Sequence, residues 1–402
     1  MSDQLLTKPR FMSLDVLRGI IMVIMALDHV RDFFFKSSLD NPGSVAMNPT
    51  DMATTTPGLF FTRWITHFCA PVFVFLAGTS ACLMGRKKTK QQLSSFLIKR
   101  GFWLVLLEIG IITLAWTLNP FYNVIILQVI WTIGISMILL GLLVYLPEKI
   151  LLALGLIIVL GHNLLQSSFL SSLKGSFWGD LVYFTNFSVY HFNSTHFMII
   201  VYSFLPWTGV MLLGFYFGKL YEGGMNPERR RKILVLLGSM IFVLFLILRI
   251  INAYGDPQPW SIQPRGSIYS FLSFLNTNKY PPSLEYLCMT LGPAMVLLAL
   301  LEKITNRLTA IMNIYGRVPM FYYVLHLYLI HLIGVIVFYG SGFTSKDIIT
   351  PGSPFLFRPS DLGFGLLGVY AIWIIVVLIL FPLCKRYDQF KSTHKKWWLS
   401  YL

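Results

Sequence analysis

The sequence predicts an all-α polytopic membrane protein: about ten transmembrane helices in one bundle, with both termini cytoplasmic. Three observations carry that expectation. Hydrophobic residues fill 55% of the 402 positions and charged residues only 12%, a balance that excludes an ordinary soluble domain. The apolar residues fall in long runs, and a helix needs about 20 of them to cross a hydrocarbon layer of about 30 Å. The Lys and Arg residues behind the net charge of +15 cluster in alternate short loops, as they do in the cytoplasmic loops of membrane proteins. Their charge is thereby accounted for without a nucleic-acid partner.

Ten apolar runs set the spans, at 11–33, 59–84, 97–118, 124–146, 150–166, 197–218, 233–253, 284–301, 318–339 and 364–384. The first is the one on which the others are organised. Along it Asp15, Arg18, Met22, Met25, His29 and Asp32 recur at alternating steps of three and four, so they form one stripe on a helix. A charge at the bilayer centre costs at least about 2.5–3.5 kcal/mol on insertion scales, so the stripe faces protein or water and is a candidate site. The simpler reading is a packing ion pair, Asp15 with Arg18, plus an interfacial histidine. No small-residue cleavage site follows this run, which reads as a retained helix and not as a signal peptide.

The loops decide orientation. Lys8 and Arg10, then Arg86, Lys87, Lys88, Lys90, Lys99 and Arg100, fall on the cytoplasmic side when the spans are counted. Lys219 with Arg229 to Lys232, then Lys303 and Arg307, then Lys385 to Lys396 follow them there. The alternate loops, at 34–58, 119–123, 167–196, 254–283 and 340–363, hold few cations but many aromatic and turn residues, as an interfacial belt or a sugar-stacking vestibule would. There is no soluble domain and no fixed-period repeat, so residues 1–402 read as a single membrane domain. Cys69, Cys82, Cys288 and Cys384 stand singly in or beside apolar runs and read as small core residues.

The polar groups left in this frame are centred on histidine. His29 lies about 28 Å along its helix from Arg10, near the outer side, and His67 enters the second span from that side, so the two imidazoles are expected to meet. A neutral imidazole can take the proton of an attacking hydroxyl or amine, with Asp28, Asp32 or a second histidine fixing its tautomer. Arg18, beside Asp15 near the cytoplasmic end, offers a planar fork to phosphate oxygens. Glu108 and Gln128 are polar groups in apolar runs and face the bundle interior. Asn276, Lys279, the Pro281-Pro282 pair and Glu285 form a rigid outer wall suited to an acceptor. His326 and His331 are five apart, which fits no helical metal pair and lets at most one of them, such as His326, line the site. No phosphate-binding glycine loop, CxxC or HExxH is present, so motor, redox and metalloprotease readings lack support and no metal is expected.

Arg10-Phe-Met-Ser-Leu-Asp-Val-Leu-Arg-Gly, His29, Phe68-Cys-Ala-Pro-Val-Phe-Val-Phe-Leu-Ala-Gly-Thr-Ser, Lys279-Tyr-Pro-Pro-Ser-Leu and Gly316-Arg-Val-Pro-Met-Phe-Tyr-Tyr together resemble bacterial proteins grouped with the heparan-α-glucosaminide N-acetyltransferase catalytic domain. The first span also resembles the wider transmembrane acyltransferases, including the acyltransferase-three family, whose arginine-ten residues-histidine pattern is met by Arg18 and His29. The resemblance implies transfer of an acetyl group from cytoplasmic acetyl-CoA to a sugar or glycan beyond the membrane, N- or O-linked, in a bacterial inner membrane. Catalysis then falls to His29 with His67, Asp28 and Asp32, donor binding to Arg18 and Asp15, and acceptor binding to Lys279, Glu285, Asn276 and His326. Membrane lipids are the other partners, with a homodimer left open. The alternatives are a transporter or flippase for a polar or lipid-linked sugar, or a structural component of envelope assembly.

Overall fold

A computed structural model of the chain describes residues 11–36, 48–166, 172–350 and 353–394, with 396 and 399. Helix α1 (Met12–Phe34) is 23 residues long, about 35 Å, with Asp15 in its first turn and Arg31 in its last, the ends at which a helix dipole favours each charge. Helix α2 (Pro57–Thr66) starts on Pro57 behind Thr56, whose hydroxyl accepts from the Leu59 N–H, and passes through His67 and Phe68 into α3 (Cys69–Gly85). A Thr89/Gln92 capping box opens α4 (Lys90–Leu107), which continues through a π-helical turn, Glu108–Ile112, into α5 (Thr113–Thr117). Strand β1 (Val124–Leu127) leads into α6 (Val129–Leu143), and α7 (Glu148–Gly161) follows.

The next segment holds α8 (Phe177–Gly179), β2 (Ser188–His191) and β3 (Phe197–Ile200), and gives way to α9 (Leu205–Phe217) and α10 (Pro227–Ile251). A short α11 (Ser267–Leu275) precedes α12 (Leu284–Leu301), α13 (Arg307–Arg317), α14 (Pro319–Gly340) and α15 (Leu366–Thr393).

Six stretches among the described residues are long and apolar enough to span a membrane: Pro57–Gly85, Glu148–Gln166, Pro227–Ile251, Leu284–Leu301, Pro319–Gly340 and Leu366–Thr393. The chain is an integral membrane protein on that evidence. Helix α1 has the length but is loaded with Asp15, Arg18, Asp28, Arg31 and Asp32. Two of the ten expected spans start late. The residues at 124–127 and 197–200 are strands, paired in parallel from Val124 with Phe197 to Leu127 with Ile200, and β2 pairs antiparallel with β3 on its other side. Hydropathy cannot separate a short β-branched run from the start of a helix, and these runs satisfy their backbone in a ladder instead. What remains in α9 is about 20 Å of helix, less than a full crossing.

Helix α1 packs against α3, α12, α13, α14 and α15. Its closest approach is to α13, where Gly19 and Gly316 face one another's backbones: a β-carbon on Gly316 would stand 1.7 Å from the Asp15 carbonyl oxygen. Small residues at such a crossing let two backbones pack directly, the main source of helix association in lipid. At the periphery α7, α10 and α15 expose Ile157, Leu236, Met240, Ile250, Leu367 and Leu378, as lipid-facing helices do.

Candidate functional site

The stripe on α1 lies inside the bundle: Asp15, Met22, Met25 and His29 are buried, and Arg18 and Asp32 are partly so. His29, expected beside His67, meets His326 of α14 instead. His29 Nδ1 lies 2.7 Å from His326 Nε2, with the two rings stacked at 4.9 Å. His326 Nδ1 lies 3.1 Å from the Tyr322 carbonyl oxygen one turn earlier. A carbonyl only accepts, so His326 carries its proton on Nδ1 and, when neutral, presents a lone pair at Nε2. His29 must then donate from Nδ1, which leaves the lone pair of His29 on Nε2. No other hydrogen bond to His29 occurs among the described residues. Trp116 of α5 and Tyr323 of α14 stand edge-on to the His29 ring, at 4.9 and 6.2 Å.

His67 closes α2 one helix away. Its ring stands edge-on to Tyr286 at 5.5 Å, its carbonyl accepts from the Tyr286 hydroxyl at 2.7 Å, and its Nδ1 has no partner among the described residues. Between the two histidines sits a knot of charge. Asp28 pairs with Arg31 at 2.7 Å and with Arg63, and accepts from the Thr66 hydroxyl at 2.9 Å. Asp32 pairs with Arg31 at 2.5 Å, and its carbonyl accepts from Arg358. The Arg358 guanidinium lies over the Phe33 and Phe355 rings, and burial pushes its pKa down to about 10 against the pull of Asp32, so it stays charged at neutral pH. The two carboxylates hold Arg31 and Arg63, and Arg358 is held by the Asp32 main-chain carbonyl, so each charge offsets part of the desolvation of the others. Asp28 and Asp32 therefore reach arginine and not the His29 ring.

The wall formed by residues 256–285 is held by one residue that hydropathy alone did not single out as a hub. Arg249, at the end of α10, donates to the carbonyls of Phe274 at 2.7 Å, Ser273 at 2.8 Å, Asn276 at 2.6 Å and Gln258 at 3.3 Å, and to Glu285 at 2.8 Å. Glu285 is thus engaged by Arg249, and the Asn276 amide donates to the Thr50 carbonyl at 3.1 Å, so two of the expected acceptor contacts are committed to holding the loop. Asp256 takes the Asn278 N–H and the Ser283 hydroxyl, while burial raises its pKa against those bonds. His162 adds a contact to the Pro282 carbonyl at 2.8 Å. Lys279 is different. Its ammonium lies 5.2 Å over Tyr280 and 5.9 Å over Tyr202, is buried, and makes no hydrogen bond among the described residues, yet its charge reaches Asp28, His29 and His67.

At the opposite end, Arg18 is bonded to Asp15 at 2.7 Å, to the Gly316 carbonyl at 3.1 Å and to the Ser80 hydroxyl at 3.0 Å. It stitches α1, α3 and α13 together where Gly19 and Gly316 cross. A cavity of about 230 Å³ opens nearby on α3, α4, α7 and α9, lined among others by Cys82, Arg86, Lys88, Lys90, Glu148 and Glu222. Glu148 is paired with Lys219, and Lys90 donates to the Tyr145 carbonyl at 3.0 Å. Arg86 and Lys88 are cations that loop orientation already explains and that read from sequence at most as an extension of a phosphate-binding surface, and no spacing in the sequence signals that they border a cavity.

An apolar helical bundle with a buried histidine pair and charge knot at one end, and a cavity lined by both cations and carboxylates at the other, is the architecture of a membrane-embedded enzyme or carrier. Residues 10–250 match the family described as heparan-alpha-glucosaminide N-acetyltransferase, catalytic, and the chain belongs to that family. Membership implies a membrane acetyltransferase, with an acyl-CoA donor and a glycan acceptor. The match takes in His29 and His67 and ends within α10, so Lys279 and His326 lie beyond it. No curated protein matches the chain.

Proposed function

We propose that the protein moves an acetyl group from cytoplasmic acetyl-CoA to a hydroxyl or amino group of a glycan on the far side of a bacterial inner membrane, with His29 as general base. The observation that carries this reading is the ordered pair of histidines, which leaves a lone pair on His29 Nε2 inside a family of acetyltransferases. His326 acts as the positioning partner that fixes the His29 tautomer. The donor's phosphates belong at the cytoplasmic end, where the cavity bordered by Arg86, Lys88 and Lys90 offers unlike-charge contacts beside Glu222 and the Lys219-paired Glu148, and Arg18 is already engaged by protein. The acceptor belongs at the outer end, where Lys279 and His67 Nδ1 have unfilled hydrogen-bonding capacity.

In the step proposed, the acceptor oxygen or nitrogen attacks the thioester carbon, His29 Nε2 takes its proton, and the C–S bond breaks as the thiolate recovers that proton. General base catalysis of this kind is worth ~10²–10⁴-fold in rate. The test is transfer from labelled acetyl-CoA by purified protein. His29→Gln keeps polarity without basicity and should lose transfer while retaining acetyl-CoA binding and a native elution profile. Wild-type turnover by folded His29→Gln overturns the assignment of the base.

A further inference from the structure

Four polar atoms around the histidine pair are buried without a partner among the described residues: Trp116 Nε1, Tyr323 Oη, Glu108 Oε1 and the Oη of Tyr322, whose ring stacks on His326 and does not contact His29. Such groups are uncommon in folded proteins, because a buried donor that leaves water without a replacement bond is destabilising. Trp116 is 5% exposed and Tyr323 3%, so solvent does not satisfy them. Both rings stand edge-on to His29, Trp116 at 4.9 Å and 72°, Tyr323 at 6.2 Å and 83°, and Tyr323 also lies 5.4 Å from the His326 ring. The two rings that carry these orphaned donors therefore flank one imidazole. Glu108 differs in kind: its Oε2 accepts from the Trp131 N–H at 2.8 Å, and its free Oε1 can only accept when ionised.

From this arrangement we infer that Trp116 Nε1 and Tyr323 Oη are the donors that hold the acyl carbonyl oxygen when the acceptor attacks. The inference rests on the acyl-transfer reading. As the new C–O or C–N bond forms, the carbonyl π electrons move onto oxygen, and that oxyanion receives one N–H and one O–H bond. The electrons return as the C–S bond breaks, and the thiolate takes the proton from His29. Fixed donors in a water-excluded site serve such charge well, because they need no reorientation during the reaction.

The experiment uses the full-length protein with acetyl-CoA as donor and D-glucosamine as acceptor, together with S-acetonyl-CoA, a non-reacting ketone, for infrared spectroscopy. Trp116→Phe and Tyr323→Phe should each lower kcat on the order of 10²-fold, with the KM for acetyl-CoA within about twofold of wild type. Trp116→His, which keeps a ring N–H, should recover part of the loss. The ketone stretch of bound S-acetonyl-CoA should move to lower frequency in wild type and back toward its solution value in Tyr323→Phe. Unchanged kcat in both phenylalanine variants while His29→Gln is inactive overturns this inference and leaves the base intact. A ketone stretch at its solution value in wild type also overturns it, with or without turnover. A shifted ketone in a wild-type protein that acetylates no acceptor supports the donors and sinks the acyl-transfer reading alone.

Discussion

His326→Leu removes the acceptor that keeps the His29 proton on Nδ1, and the two tautomers of His29 then compete. Turnover should fall about 10²-fold, within the range a positioned base supplies, and acetyl-CoA affinity should hold. His326→Gln, whose side-chain oxygen still accepts, should regain part of the rate, which a purely space-filling role would not produce. Spacing along α1 shows a polar stripe ending in His29, because a period of three and four survives in any buried helix. The partner is hidden from such reasoning. His67 and His326 are both apolar-run histidines, and only the path of α14 past α1 puts His326 Nε2 within 2.7 Å of His29 Nδ1. The same holds for Glu285: a carboxylate beside a Pro-Pro turn reads as an acceptor ligand until Arg249 is seen against it at 2.8 Å.

Helices legible as hydropathy runs are largely in place, with ends moved by chemistry that hydropathy does not weigh. The run at 284–301 matches α12 because Ser283 caps its first turn, accepting from the Tyr286 N–H at 3.0 Å. The runs at 124–146 and 197–218 lose their first residues to strands that lie far apart in sequence and pair with each other, a relation no local window contains. Helix crossings are likewise invisible to hydropathy, yet they set what an element tolerates. Gly316→Ala places a methyl group against the Asp15 carbonyl, backbone against backbone, with no flexible side chain to yield. Overpacking of this type costs about 1–3 kcal/mol. A lower Tm in detergent is expected, together with reduced turnover because α13 leads directly into the helix that carries His326. A Tm equal to wild type would mean that α1 and α13 do not meet at this glycine pair.

Across the whole molecule the charge-lined cavity and the histidine pair lie near opposite ends of the bundle, so the side assigned to each decides which substrate can reach which. The asymmetry of Lys and Arg between alternate loops predicts residues 85–96 in the cytoplasm and 167–196 outside. The four native cysteines are buried, so a thiol placed at the surface can be read without much background. In intact cells a membrane-impermeant maleimide should label Ser194→Cys and spare Lys87→Cys until the membrane is opened. Labelling of position 87 from outside would invert donor and acceptor sides together.

Arg249 fastens the wall chiefly through main-chain carbonyls, at Gln258, Ser273, Phe274 and Asn276. A carbonyl is the same whichever side chain its residue carries, so the anchor is indifferent to the composition of the loop it secures. Exposed residues between those points, such as Ile262 and Ile268, are free to change without loosening the ends. The wall is thereby a replaceable panel on a fixed frame: a lineage or a designer could rewrite its exposed face while Arg249 and the carbonyls it holds stayed as they are.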